Sequence, residues 1–254
     1  MNNRYFEFIQ IEGFGEDTES YRNIIKTVII ELGRIINDKY ITYDFEYLAN
    51  KIATLKVIRR DGVNHEYFSD LNVIFLSSCN KSFNEYSDEE IIIYLIHELV
   101  HFVNINDEYD TFYDNYPGFD EFFTEYLTYL IVKRIEGIRL ESCYKKKVKG
   151  YFGNEIENDF IDQLQTKVGI EPLLDCYLNR DVAILSKTVG KPTLKAMNDY
   201  YNYYIKLATA INKPLIEIKY MLDNQQLEVQ KQELDYYASV IMQNITLGEP
   251  LKVL

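Results

Sequence analysis

Two histidines four residues apart, with a glutamate directly after the first, form the segment His97-Glu98-Leu99-Val100-His101. In a helix, residues four apart lie one turn apart on the same face, so both imidazoles could bind one zinc ion. Glu98 would then reach a water molecule on the metal and take its proton, because zinc lowers the pKa of that water. Two of the three histidines in the chain lie in this HExxH motif. A metal site is therefore a better explanation than coincidence.

A third ligand is expected on the next predicted helix, where Glu121 and Glu125 lie four residues apart among aromatic side chains. Carboxylates are costly to bury without a partner. A zinc ion, or a histidine bound to one, would supply that partner. The alternative is a solvated acidic edge of an amphipathic helix. The HExxH motif favours the metal-binding interpretation.

The motif and this glutamate together resemble the gluzincins, the thermolysin-like zinc metallopeptidases, and the chain length resembles their compact forms, the minigluzincins. Glu121 follows His101 by twenty residues (121 − 101 = 20), and a further acid follows four residues later. The resemblance implies that Glu121 is the third zinc ligand and that Glu125 orients His97 from outside the ligand set. The residue before this ligand is commonly Asn in the family and is Asp120 here.

The resemblance also implies one Zn²⁺ per chain and a peptide or protein as substrate. The peptide bond would be hydrolysed by metal-activated water, with Glu98 as the general base and without a covalent acyl-enzyme. Thermolysin-like enzymes carry another histidine downstream that stabilises the transition state, whereas no histidine follows His101 in this chain. A different donor is therefore expected.

A tyrosine hydroxyl is the natural substitute donor in a chain with 23 tyrosines. The candidates are Tyr113, Tyr116 and Tyr151. Tyr151 is favoured because the glycines near it permit a close backbone approach. His65, the remaining histidine, is interpreted as an ordinary surface or turn residue.

Two alternatives to a general peptidase stay open. One is a non-catalytic zinc-binding regulatory or interaction protein with a zincin fold. Glu98 argues against it, because a structural zinc site uses four protein ligands and has no need of a general base. The other is a dedicated effector that cuts one partner protein, which the sequence does not separate from a general peptidase.

Composition limits the remaining classes. The net charge of −13 disfavours nucleic-acid binding, which needs clustered basic residues. No apolar run reaches the roughly 18 residues of a membrane span, and residues 1–13 do not resemble a signal peptide. Three cysteines without CxxC spacing indicate reduced thiols. We therefore expect a cytoplasmic protein, with a removed signal sequence, or export without one, as open alternatives.

The expected fold is α+β and zincin-like, with a small N-terminal sheet and a mostly helical C-terminal part. Residues 1–115 would form an N-terminal subdomain with an edge strand and the HExxH helix, and residues 116–254 a helical subdomain with the third ligand. Strands are predicted at residues 4–11 and Leu71–Leu76, and the second would be the edge to which an extended substrate adds. Residues 105–117 are predicted to be a loop. Helices are predicted at about residues 19–37, 45–55, 87–103, 119–136, 155–167, 171–178, 192–211 and 214–245.

Overall fold

The structure is a computed structural model. It describes residues 3–37, 43–79, 85–104, 109–135, 140–144, 156–211, 218, 221–222 and 224–247. The chain divides into two compact units, each made of two segments. Unit 1 comprises Met1–Asp107 and Leu127–Lys147, and unit 2 comprises Glu108–Tyr126 and Val148–Leu254. The predicted α+β class is confirmed. The domain boundary expected at residue 115 stays a prediction, because a division into compact units does not define independent domains.

Unit 1 contains the sheet. Its strands are β1 (Gln10–Glu12), β2 (Lys56–Arg60), β3 (Glu66–Phe68) and β4 (Val73–Ser77). Their order is β1-β2-β4-β3, in which β1, β2 and β4 are parallel and β3 is antiparallel to β4. The helices of this unit include α1 (Thr18–Asn37), α2 (Phe45–Ala53) and α3 (Asp88–Phe102).

One strand prediction was wrong, and the other was right about the strand but wrong about its place in the sheet. Residues 4–11 do not form one strand, because a short 3-10 helix occupies Asn3–Phe8 before β1 begins at Gln10. The second predicted strand exists as β4, but it is not an edge, since β2 and β3 pair with its two sides. Four of its five residues are buried. A nearly continuous apolar run of this kind is typical of a central strand that is covered on both faces.

Unit 2 is helical in its described part. Its helices are α4 (Tyr109–Asn115), the first half of α5 (Pro117–Arg134), α7 (Ile156–Val168), α8 (Ile170–Asn179), α9 (Val182–Thr188), α10 (Lys191–Ile211) and α11 (Glu228–Leu247). A short helix, α6 (Leu140–Cys143), lies in unit 1. Aromatic side chains form much of the core of unit 2, for example the mutually contacting rings of Phe122, Phe160 and Tyr200.

One loop prediction and one helix prediction in this half need correction. The predicted loop at 105–117 contains α4, and residues 105–108 lie outside the described part. The predicted helix over 214–245 is interrupted by a turn at residues 224–227. Gln225 has a positive φ of 61° there, a conformation that does not continue a right-handed helix.

Among the described helices, none combines the length and apolar character that a membrane crossing requires.

Candidate metal centre

Helix α3 begins with the predicted capping box. The backbone N–H of Ser87 donates to Glu90 Oε2 at 2.8 Å, and the Glu90 N–H donates back to Ser87 Oγ at 3.4 Å. Acidic residues in the first turn suit the positive end of the helix dipole. From Leu95 to Phe102 every side chain of the helix is buried. The HExxH motif therefore lies on a helix with a defined start and a closed environment.

The two histidines of the motif face each other across one helical turn. Their Nε2 atoms lie 3.3 Å apart, and each side chain is 3% exposed. Two nitrogens bound to a tetrahedral zinc ion at about 2.0–2.1 Å would lie about 3.3–3.4 Å apart. The imidazoles thus fit one shared metal ion. A hydrogen bond between the two rings is the other explanation of this distance.

Glu121 completes the cluster. One ligand atom from each of His97, His101 and Glu121 lies within 4.8 Å of the other two, and all three residues are buried. The structure therefore brings together the three residues that the sequence predicted as metal ligands. Such a group could hold a metal ion. Two imidazole nitrogens and one carboxylate oxygen are common ligands of divalent transition metals.

The start of α5 is held in place within unit 2. Pro117 occupies the first helical position, where its missing N–H is no loss. Gly118 donates its backbone N–H to Asn198 Oδ1 at 3.0 Å, and a Cβ at this residue would lie 2.4 Å from the Met197 carbonyl oxygen. A glycine is therefore needed for this close approach to α10, three residues before Glu121.

A buried ion pair lies beside Glu121. Arg180 donates from its guanidinium to Asp120 Oδ1, and both side chains are 0% exposed. The Arg180 guanidinium also lies 4.8 Å from the Phe112 ring centre and 5.1 Å from that of Tyr177. Tyr177 in turn hydrogen-bonds Thr124 on α5 at 2.5 Å. From the sequence, Asp120 stood out only as a departure from the usual Asn, because its partner Arg180 lies sixty residues away.

Glu98 and Glu125 are both buried. Glu98 directly follows His97 and is 3% exposed, and Glu125 lies one turn after Glu121 on α5 and is 2% exposed. The burial of Glu125 removes the solvated-edge alternative for this residue. Its contact with a zinc ligand stays a prediction, as does the role of Glu98 as a base.

His65 lies at a bend, in line with the surface or turn residue expected from the sequence, but its side chain is only partly exposed and is held by packing. Its ring stacks on that of Tyr94 in α3, with centroids 3.9 Å apart and planes inclined by 12°. Burial lowers the pKa of His65 to about 3, and the nearby imidazole of His97 contributes to this lowering. His65 is therefore neutral at pH 7. Its place beside the HExxH helix depends on long-range packing that the local sequence does not reveal.

Two of the three candidate tyrosine donors already have partners in unit 2. The hydroxyl of Tyr113 lies 2.7 Å from that of Tyr201, and the hydroxyl of Tyr116 lies 2.8 Å from Ser186 Oγ. Tyr151 lies outside the described residues, so its assignment as a donor stays a prediction.

Comparison of the chain with protein-family models, with curated proteins and with solved structures found no match. What can be inferred about function therefore comes from the residues of the site and their geometry.

Proposed function

We propose that the chain is a zinc-dependent peptidase of the gluzincin type. The observation that carries the proposal is the buried cluster of His97, His101 and Glu121, with ligand atoms within 4.8 Å of one another. Three protein ligands leave a fourth position for water or substrate, as in catalytic zinc sites, whereas structural sites use four protein ligands.

Zinc, when bound, would polarise the scissile carbonyl and lower the pKa of water. Glu98 would accept the proton of the attacking water and pass it to the amine as the peptide C–N bond breaks. Its position directly after His97 suits this role. The 3% exposure of Glu98 keeps bulk water from competing for the proton.

An extended peptide would pair with β3. Of the described strands, β1 and β3 form the edges of the sheet, and β3 packs against α3, the HExxH helix. Strand addition of this kind is a common mode of peptide recognition. In this proposal β3 takes the place of β4, the strand expected from the sequence, because β4 is already paired with β2 and β3.

The test is the replacement Glu98→Gln, which keeps the side-chain shape and removes the ability to accept a proton. The variant should bind zinc like the wild type and should lose peptide hydrolysis by several orders of magnitude. Glu89→Gln, the same change at an exposed residue in the first turn of α3, is the matched control. Cleavage of a peptide library would be measured by mass spectrometry, with and without a chelator.

A wild-type rate in Glu98→Gln would refute the proposed mechanism. Stoichiometric zinc binding without cleavage of any peptide or candidate partner protein would favour the non-catalytic regulatory alternative. Cleavage of one protein alone, with no activity on the library, would favour the dedicated effector.

A further inference from the structure

His65 lies next to the catalytic motif within unit 1. It directly precedes β3, and its ring stacks on Tyr94 at a centroid distance of 3.9 Å. Tyr94 precedes His97 by three residues and Glu98 by four on α3. Side chains at these spacings share one face of a helix. The stack therefore places the His65 ring along the part of α3 that carries the motif.

The hydrogen bonding of His65 defines its tautomer. The backbone N–H of Ser77, the last residue of β4, donates to His65 Nδ1 at 3.3 Å. A nitrogen that accepts a hydrogen bond carries no proton, so the neutral ring carries its proton on Nε2. Nε2 is thus a donor, and its direction is set by the Ser77 bond and the Tyr94 stack.

This donor has no acceptor in the described part of the chain. Nε2 of His65 is buried and makes no hydrogen bond there. A buried N–H without a partner is unfavourable, and native structures rarely keep one without a reason. A ligand that supplies an oxygen atom near the HExxH helix would satisfy it.

The proposed hydrolysis creates such an oxygen. Attack of water on a peptide carbonyl places negative charge on the carbonyl oxygen, and a preorganised donor at that oxygen lowers the barrier. A neutral donor suits this task, because it stabilises the charge without transferring a proton. The tyrosine donors expected from the sequence are weaker candidates, since Tyr113 and Tyr116 already bond to Tyr201 and Ser186.

We propose that His65 is a catalytic residue whose Nε2–H donates a hydrogen bond to the carbonyl oxygen of the scissile peptide bond. This inference rests on the proposed peptidase function. His65 stays neutral throughout and forms no covalent bond. The proton of the attacking water moves to Glu98 and then to the leaving amine, without passing through His65.

Two substitutions separate the nitrogens of His65. His65→Asn places an oxygen near the Nδ1 position, so Ser77 keeps its acceptor while the Nε2 donor is lost. His65→Gln places an amide N–H near the Nε2 position and retains a donor. His65→Asn should lower kcat by about 10²–10³-fold with little change in KM or zinc content, and His65→Gln should recover part of that loss. His65→Phe keeps an aromatic ring against Tyr94 and should behave like His65→Asn.

A second readout does not depend on turnover. Acetohydroxamate presents oxygen atoms to a metal ion, and its binding to the Co²⁺-loaded protein can be followed by visible absorption. His65→Asn should bind Co²⁺ like the wild type and should bind acetohydroxamate at least about tenfold more weakly, as expected for the loss of one strong hydrogen bond. His65→Gln should lie between the two.

The outcomes are distinguishable. Wild-type kcat and wild-type acetohydroxamate affinity in His65→Asn would overturn the role of His65 and leave the peptidase proposal intact. A loss of kcat in Tyr151→Phe, with full activity in His65→Asn, would assign the donor to Tyr151 instead. Failure of the wild-type protein to bind Zn²⁺ or Co²⁺ would overturn the proposed function and this inference with it.

Discussion

Asp120 and Arg180 form an ion pair in which neither side chain is exposed. Asp120 directly precedes the candidate ligand Glu121 in the sequence. Burial removes both charges from water, and their attraction offsets that loss only while both partners are present. The pair joins α5 to the C-terminal end of α8, where Arg180 has a φ of 55°. The start of the ligand-bearing helix is therefore sensitive to either charge.

Arg180→Met should lower the free energy of unfolding by about 3–5 kcal/mol, because it leaves the Asp120 carboxylate buried without its cation. Removal of both charges in Asp120→Asn/Arg180→Met should cost clearly less than the sum of the single variants. Urea denaturation followed by circular dichroism measures the free energy of unfolding of Arg180→Met, Asp120→Asn and the double variant. Lys195→Met, which breaks an exposed pair with Asp199, is the control and should change little. Additive losses in the double variant would contradict the coupling.

Tyr21 gives a pH-dependent prediction for unit 1. Its hydroxyl is buried without a hydrogen-bond partner in the described residues. Burial, and secondarily the charge of Asp88, raises the pKa of Tyr21 from 10.0 to about 12. Between these pH values the Tyr21 hydroxyl is ionised in the unfolded chain but stays neutral in the folded one. The free energy of unfolding therefore falls as pH rises from 10 to about 12.

Tyr21→Phe should therefore match or slightly exceed wild-type stability at pH 7, because no native hydrogen bond is lost. Above pH 10 the variant should become more stable than the wild type, by up to about 2 kcal/mol near pH 12. Unfolding in urea across this range is the measurement. Tyr236→Phe, at a residue that is 61% exposed, is the control for the loss of a tyrosine hydroxyl. Parallel curves for wild type and Tyr21→Phe would disprove the assignment.

Features determined by local sequence were predictable. The capping box at Ser87 and the four-residue spacing of His97 and His101 are sufficient to define the start of α3 and the face that both imidazoles share. The spacing to Glu121 identified a third residue that the fold does bring to the histidines. In each case the physical information lies within one helix or in a motif with a fixed interval.

Features determined by distant contacts were not predictable. His65 was expected to be a surface or turn residue because it lies near the Asp61-Gly62 turn, yet its ring contacts Tyr94 and Ser77. The partner of Asp120 lies sixty residues away. The position of β4 inside the sheet depends on β3, a three-residue strand with little sequence signal. Pairing order and buried partners are set by tertiary packing, which periodicity does not encode.

The purified protein should contain about one zinc ion per chain, and Glu121→Ala should lose it on dialysis, because only two nitrogen ligands would remain. Glu171→Ala, at an exposed glutamate on α8, is the matched control. Elemental analysis after dialysis measures occupancy. Chelation should also lower the Tm of the wild type, since a metal that binds only the folded state stabilises it. Full occupancy in Glu121→Ala would remove Glu121 from the ligand set.

Glu125 lies one turn after Glu121 on α5 and is 2% exposed. Ligating histidines usually donate their second ring N–H to a carboxylate or a carbonyl, which fixes the ring and raises its basicity. If Glu125 serves His97 in this way, Glu125→Ala should weaken zinc binding by about 10–100-fold without abolishing it. Glu125→Gln keeps an oxygen that can accept the same N–H, so it should lose less affinity. Competition with a chromophoric chelator gives the Kd of each variant, and Tm values separate loss of affinity from loss of fold. Equal zinc affinity in wild type and Glu125→Ala would show that Glu125 is buried for a reason other than the metal.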